Sequence, residues 1–230
     1  MNIRVLSIIF VILIFALGSG YLSYSVSGGT ALKDAYSNGN IKVIQKTSAG
    51  TVPHEVIITN DGNVAVKVKK GDVLSSTPSQ DLVIGEDKKV ASNSNETVKA
   101  YCIEPSQRAV ANTKLLPVNS TYNGVTQVIR NSNPLDPESA YKAQLQIYLI
   151  MSGGNLNIYT GEPVAIVDTK KISWTQFRQD VSNAKSDLMK TFNVNESEIK
   201  DLNQKQGLNV GNPQTWIDNF SNWLKGLLGM

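Results

Sequence analysis

The sequence predicts an α+β protein: a β-sandwich-like domain from about residue 41 to 132, extended from 133 by helices and a short strand, behind an apolar N-terminal helix. Three observations predict it. No charged residue occurs between Arg4 and Lys33; from Ile41 short apolar segments alternate with period two; and after Asn133-Pro134 the apolar period lengthens to that of a helix. Behind the leader, about 200 residues remain, enough for one large domain or one domain with a sub-domain.

Val5 to Leu17 contains a single polar residue, Ser7, and the chain from residue 5 to 32 is free of charge. Charge is excluded from a segment that must sit in hydrocarbon, and a helix of this length at ~1.5 Å per residue spans a ~30 Å layer. Two readings fit: a signal peptide cut near Ala16, Gly18 or Gly20, and an uncleaved anchor over residues 1–24 with Tyr21 and Tyr24 at the interface. The anchor is preferred. In both, Arg4 stays inside and everything from about Ser25 is extracytoplasmic. Residues 25–40, rich in Ser, Gly and Asn, read as a linker.

Strands are expected at Ile41 to Lys46, His54 to Thr59 and Val64 to Lys69, where Val64, Val66 and Val68 form the inward face. Asn60-Asp61-Gly62-Asn63, whose residues tolerate positive φ, is read as a tight hairpin between the last two. Further short strands are expected at Val73 to Leu74, Leu82 to Ile84, Val98 to Ile103, Leu115 to Val118 and Val125 to Ile129. Their spacing of roughly ten residues argues for a sandwich rather than a sheet covered by crossover helices.

Asp136, with Pro137 behind it, caps a helix running to about Met151 and stopped by Gly153-Gly154. Val164 to Val167 is read as one more strand. Ser173 and Gln176 have capping-box spacing, followed by Trp174, Phe177, Val181, Ala184, Leu188 and Phe192 on one helical face. A short helix is expected from about Asn195, with Glu198 in the box position. A last helix, residues 213–228, lines up Trp216, Phe220, Trp223 and Leu227 on an apolar stripe. That stripe either packs on the domain or meets a partner or membrane.

Composition narrows the chemistry. Basic residues number 22 and acidic ones 19, interspersed, so no stripe exists to neutralise a row of phosphates, and nucleic acid is not an expected partner. A single Cys, Cys102, rules out an intrachain disulfide, and a single His, His54, rules out a metal site built on several imidazoles. A Ser/His/Asp triad would need His54 as its base. Glu104, Asp136, Glu138 and Asp168 are read as solvated charges, with no acid–base pair among them. No cofactor, metal or enzymatic activity is expected. Four Asn-Xaa-Ser/Thr triplets, at Asn95, Asn119, Asn195 and Asn219, are N-glycan acceptors if the source organism glycosylates exported chains.

Cys102 stands in "AYCIEPSQ" on a strand face shared with Val98 and Ala100, where a lone Cys serves as a small hydrophobe. A second reading comes from resemblance. "YCIE" is similar to the tyrosine–cysteine–aliphatic–polar motif of thioester domains in Gram-positive surface adhesins, and "AQLQIYLIM", residues 143–151, resembles their helical glutamine motif. The resemblance implies that Cys102 carries an internal thioester with a glutamine. Gln144 matches the glutamine of the helical motif, with Tyr148 where the family has tryptophan. The family's bond-closing glutamine belongs to a third, later motif with no good copy here, and Gln146 fits its composition while overlapping the second motif. "HEVIITNDGNVAVKV" further resembles strand pairs of immunoglobulin-like domains in surface proteins.

The expected function is that of a membrane-anchored extracytoplasmic envelope protein with a binding or structural role. The alternatives are a thioester adhesin acting through Cys102, and an accessory subunit docking a membrane partner through residues 213–228; the expected partners are the membrane, through the N-terminal helix, and a cell-envelope protein or glycan.

Overall fold

Alternation decides which side of each strand meets the core. In the computed structural model, which describes residues 28–203, β3 (His54–Asn60) buries His54, Val56, Ile58 and Asn60 and leaves the residues between them partly open. A strand packed on one face produces this period. β3 pairs antiparallel with β2 (Ile41–Gln45) on one side and β8 (Ser94–Cys102) on the other. Beyond β8 follow β6 (Leu82–Ile84), β5 (Val73–Ser75) and β9 (Leu116–Val118), which completes a six-stranded antiparallel sheet in the order β2-β3-β8-β6-β5-β9. A smaller sheet joins β1 (Thr30–Ala31), β4 (Val66–Val68) and β7 (Lys88–Val90). Its β1–β4 pairing is parallel, and β7 lies against β3 and β8.

Five α-helices accompany the sheets among the described residues: α1 (Leu32–Ser37), α2 (Asn123–Arg130), α3 (Pro137–Met151), α4 (Gly161–Lys170) and α5 (Trp174–Phe192). The expected N-caps form, but the Ser173 box is only half made, because the Gln176 side chain bonds Asp180 instead of reaching back. The Asp136 carboxylate accepts the Glu138 N–H at 3.2 Å, and the Ser173 hydroxyl accepts that of Gln176 at 3.1 Å. Asn195 and Glu198 complete a reciprocal capping box on a 3₁₀ turn, Glu196–Asp201. α3 is the central helix. It buries Ala140, Ala143, Gln144, Leu145, Ile147, Tyr148, Leu149 and Ile150, because β8 covers one side of it and α2, α5 and the 3₁₀ turn the others. The molecule is thus α+β, with mostly antiparallel sheets and C-terminal helices.

Several expectations are corrected. Asn60-Asp61-Gly62-Asn63 closes no hairpin: β3 and β4 belong to different sheets. The reason is the Asn60 side chain, which donates to the Val64 and Ala91 carbonyls at 2.9 Å each and accepts the Gly62 N–H at 3.0 Å, so it carries the chain across instead of back. Val64 is consequently outside its strand and exposed. Val125 to Ile129 and Val164 to Val167, read as strands, lie in α2 and α4. Short β-branched runs do not separate a strand from a helix buried on several sides. Residues 30–37, read as part of a linker, form β1 and α1, with Leu32 and Ala35 in the core. The N-terminal leader and the helix expected over 213–228 lie outside the described residues. Among the described residues no helix is long and apolar enough to cross a membrane.

Candidate functional site

The site forms where β8 outruns its neighbour. β3 pairs with β8 from His54 opposite Ala100 to Asn60 opposite Ser94, so nothing of β3 lies opposite Cys102. The Ile103 N–H bonds the Asp81 carbonyl and the Gly85 N–H bonds that of Lys99, so odd-numbered residues of β8 point their peptide groups at β6. By alternation, Cys102 points its N–H and C=O to the side that β3 has vacated. Gln144, one turn before Tyr148 on α3, fills that gap. Its Oε1 accepts the Cys102 N–H at 3.0 Å and its Nε2 donates to the Cys102 carbonyl at 2.8 Å. A side-chain carboxamide here stands in for the next peptide of the ladder, and both residues are fully buried.

The Cys102 thiol faces the Tyr148 hydroxyl. Burial drives the thiol well above its ordinary pKa, the Glu162 charge pushes the same way, and the Tyr148 hydroxyl and the Glu104 N–H act against them. Tyr148 is likewise raised by burial and then by Cys102, and its hydroxyl, fully buried, has no hydrogen-bond partner of good geometry.

A polar cluster adjoins the thiol, built from residues far apart in the chain. Glu162, at the start of α4, is fully buried, and its two oxygens accept the N–H groups of Gly50 at 2.7 Å and Ala109 at 2.8 Å. Burial raises its carboxyl above the ordinary range, opposed by those two N–H donors, by the Gln80 amide and by the Arg108 charge. His54 Nε2 lies 3.8 Å from it and 2.8 Å from Gln80 Nε2. An amide nitrogen only donates, so His54 Nε2 is the acceptor, and Nδ1 carries the proton toward Thr47 Oγ1 at 3.1 Å. Burial lowers His54 to about 4, which keeps the ring neutral. Gln80 turns its Nε2 toward His54 and Glu162, and its Oε1, also buried, is left without a partner. Ser79 and Gln45 continue the network, the Ser79 hydroxyl donating to Gln45 Oε1 at 2.7 Å. Close approach seals it: a Cβ on Gly161, at φ +59°, would overlap the Pro105 carbonyl oxygen.

A surface cleft of about 410 Å³ lies past the end of β8, lined by Ile103, Glu104, Pro105, Met151, Leu156 and Thr160 among others. Ile103 and Glu104 directly follow Cys102, and Met151 lies one turn beyond Tyr148.

Of the residues singled out in the sequence, Cys102 and Gln144 meet. Gln146 does not join them: it faces a different cleft with Lys142, Ala143 and Phe192. Glu104 accepts the Asp81 N–H at 2.8 Å, Asp136 caps α3 and Asp168 is exposed. Asn95, Asn119 and Asn195 are exposed, while Asn219 and the stripe of Trp216, Phe220, Trp223 and Leu227 lie outside the described residues. Among the described residues no group of three or more His, Cys, Asp or Glu could hold a metal ion. Gln80 and Glu162 were not singled out. The available signal was the inward position of polar residues, Gln45 and His54, at the ends of strands whose middle inward residues, Val43, Val56 and Ile58, are apolar.

No family model, no curated protein and no solved structure matches this chain.

Proposed function

We propose that this chain is a membrane-anchored extracytoplasmic envelope protein whose folded domain binds its target through an acyl group held on Cys102 as an internal thioester. The observation that carries this reading is the meeting of the two segments that resemble thioester domains: Cys102 of "YCIE" and Gln144 of "AQLQIYLIM", 42 residues apart, bonded to each other in the interior. A thioester needs a thiol, a carboxamide and dry, fixed surroundings, and the buried Cys102 supplies the first and the last. The cleft lined by Ile103 and Glu104, the two residues after Cys102, is the nearest surface opening in sequence from which a nucleophile would approach. The charge-free leader supports the anchor, and the two-sheet body supports an immunoglobulin-like surface module as its scaffold.

Intact mass tests the reading. The purified full-length chain is expected about 17 Da below its sequence mass, the ammonia lost on closing the bond, and Cys102→Ala is expected to restore the full value. A full mass with a thiol that titrates on unfolding sinks it. The structure also contains a specific feature that would then carry a second reading, a non-covalent envelope-binding module: the Gln144 carboxamide completes the β-ladder whether or not the thiol reacts.

A further inference from the structure

We infer that the glutamine that acylates Cys102 is Gln80, with Gln144 as the brace of the Cys102 peptide; this rests on the thioester reading above. Two arguments assign the roles. Gln144 has both its carboxamide atoms committed to the Cys102 N–H and C=O, in the direction of the ladder hydrogen bonds. Side chains stand out of that plane, so this carboxamide lies beside the Cys102 backbone and not over its thiol face.

Gln80 lies on that face. His54 pairs with Ala100 on one side of β8, and Leu82 pairs with Cys102 on the other, so these four side chains share one face of the sheet. Gln80 precedes Leu82 by two positions, and the Ile103 N–H on the Asp81 carbonyl carries the ladder between them. The Gln80–His54 contact at 2.8 Å therefore reaches from the β6 side to β3 across the C-terminal end of β8. Two buried groups are left over from the hydrogen-bond network: the Gln80 Oε1, an acceptor, and the Tyr148 hydroxyl, a donor that meets only the thiol. Orphans of that depth are uncommon and call for a reason. Acyl transfer supplies one.

The Cys102 sulfur attacks the Gln80 Cδ, the S–C bond forms as the C–Nε2 bond breaks, and the amide nitrogen leaves with the thiol proton as ammonia. No oxidant or other reactant enters. The leaving nitrogen already sits 2.8 Å from the neutral His54 Nε2 and against the Glu162 carboxylate, two acceptors able to relay the proton. The Tyr148 O–H is the donor for the acyl oxygen.

Methylamine trapping of the wild-type, full-length chain reads the donor directly. Aminolysis of a thioester turns its glutamine into the γ-methylamide, about 14 Da heavier than glutamine, and frees the thiol. Peptide mapping is expected to find the label on Gln80, and Gln80→Glu, which changes one atom, is expected to show no mass deficit. A label on Gln144 or on any other glutamine overturns this assignment and leaves the thioester standing. No label, together with an undiminished mass before treatment, overturns the thioester and this assignment with it.

Discussion

His54 and Glu162 are both enclosed with little water, and the enclosure moves them in opposite directions. An unfolded histidine takes up its proton near 6.5, whereas His54 in place does so only near 4. Between those values the unfolded chain binds a proton that the folded one refuses, so the His54 contribution is full above pH 6.5 and is lost as pH falls through 4. The shift corresponds to roughly 3 kcal/mol. Glu162 has the reverse sign, because its raised pKa makes the folded chain bind its proton first as pH falls. Comparison with His54→Gln isolates the histidine. In urea unfolding from pH 7.5 to 4, the wild-type stability is expected to fall more steeply below pH 6.5 than that of the variant, by about that amount. Parallel curves would mean that the ring is not desolvated.

At the scale of elements, the register between α3 and β8 depends on one carboxamide. Gln144→Ala leaves the buried Cys102 N–H and C=O unpaired and opens a small cavity. At ~1–3 kcal/mol for each unsatisfied group, the expected loss is roughly 3–5 kcal/mol. Gln146→Ala, two positions on and half-exposed, is expected to cost no more than about 0.5 kcal/mol. Equal effects in chemical unfolding would refute the ladder role. The same two glutamines mark what could be read beforehand. Helical spacing put them on one segment, and the period-two pattern of residues 54–59 made that strand plain. Which of them faces β8 depends on how α3 rotates against a sheet whose β3 stops at His54, and that stop carries no local mark. Val125, Val128 and Ile129 do have helical spacing, at i, i+3 and i+4, but eight residues are too few for the pattern to outweigh β-branched propensity. Gln80 and Glu162 stayed invisible for a different reason. They lie 22 residues before and 60 after Cys102, and only the folded chain brings the loop of Gln80 to the start of α4.

For the whole molecule, the division suggested by the sequence, sandwich to residue 132 and helices after it, does not describe how it is held together. One hydrophobic cluster runs from Leu32 through both sheets to Leu188, Ile199 and Leu202. The inner residues of β8 have α3 against them, and α3 in turn buries Leu145, Tyr148 and Leu149 against its neighbours. Neither part can close its apolar surface without the other, because a sheet face left uncovered forfeits ~25 cal/mol for each Å² of apolar area it exposes. The expected consequence is a single cooperative transition. Trp174, at the head of α5, reports on the helices, while amide hydrogen exchange of β3 and β8 in the same urea series reports on the sheet; with Trp216→Phe and Trp223→Phe introduced so that Trp174 is the sole tryptophan, the two signals should fall on one curve. Transitions that separate, with the tryptophan signal lost first, would show that residues 133–203 are an independent unit packed on a self-sufficient sandwich. The Cys102 site, which takes its thiol from the sheet and its brace from α3, would then open before the sheet unfolds.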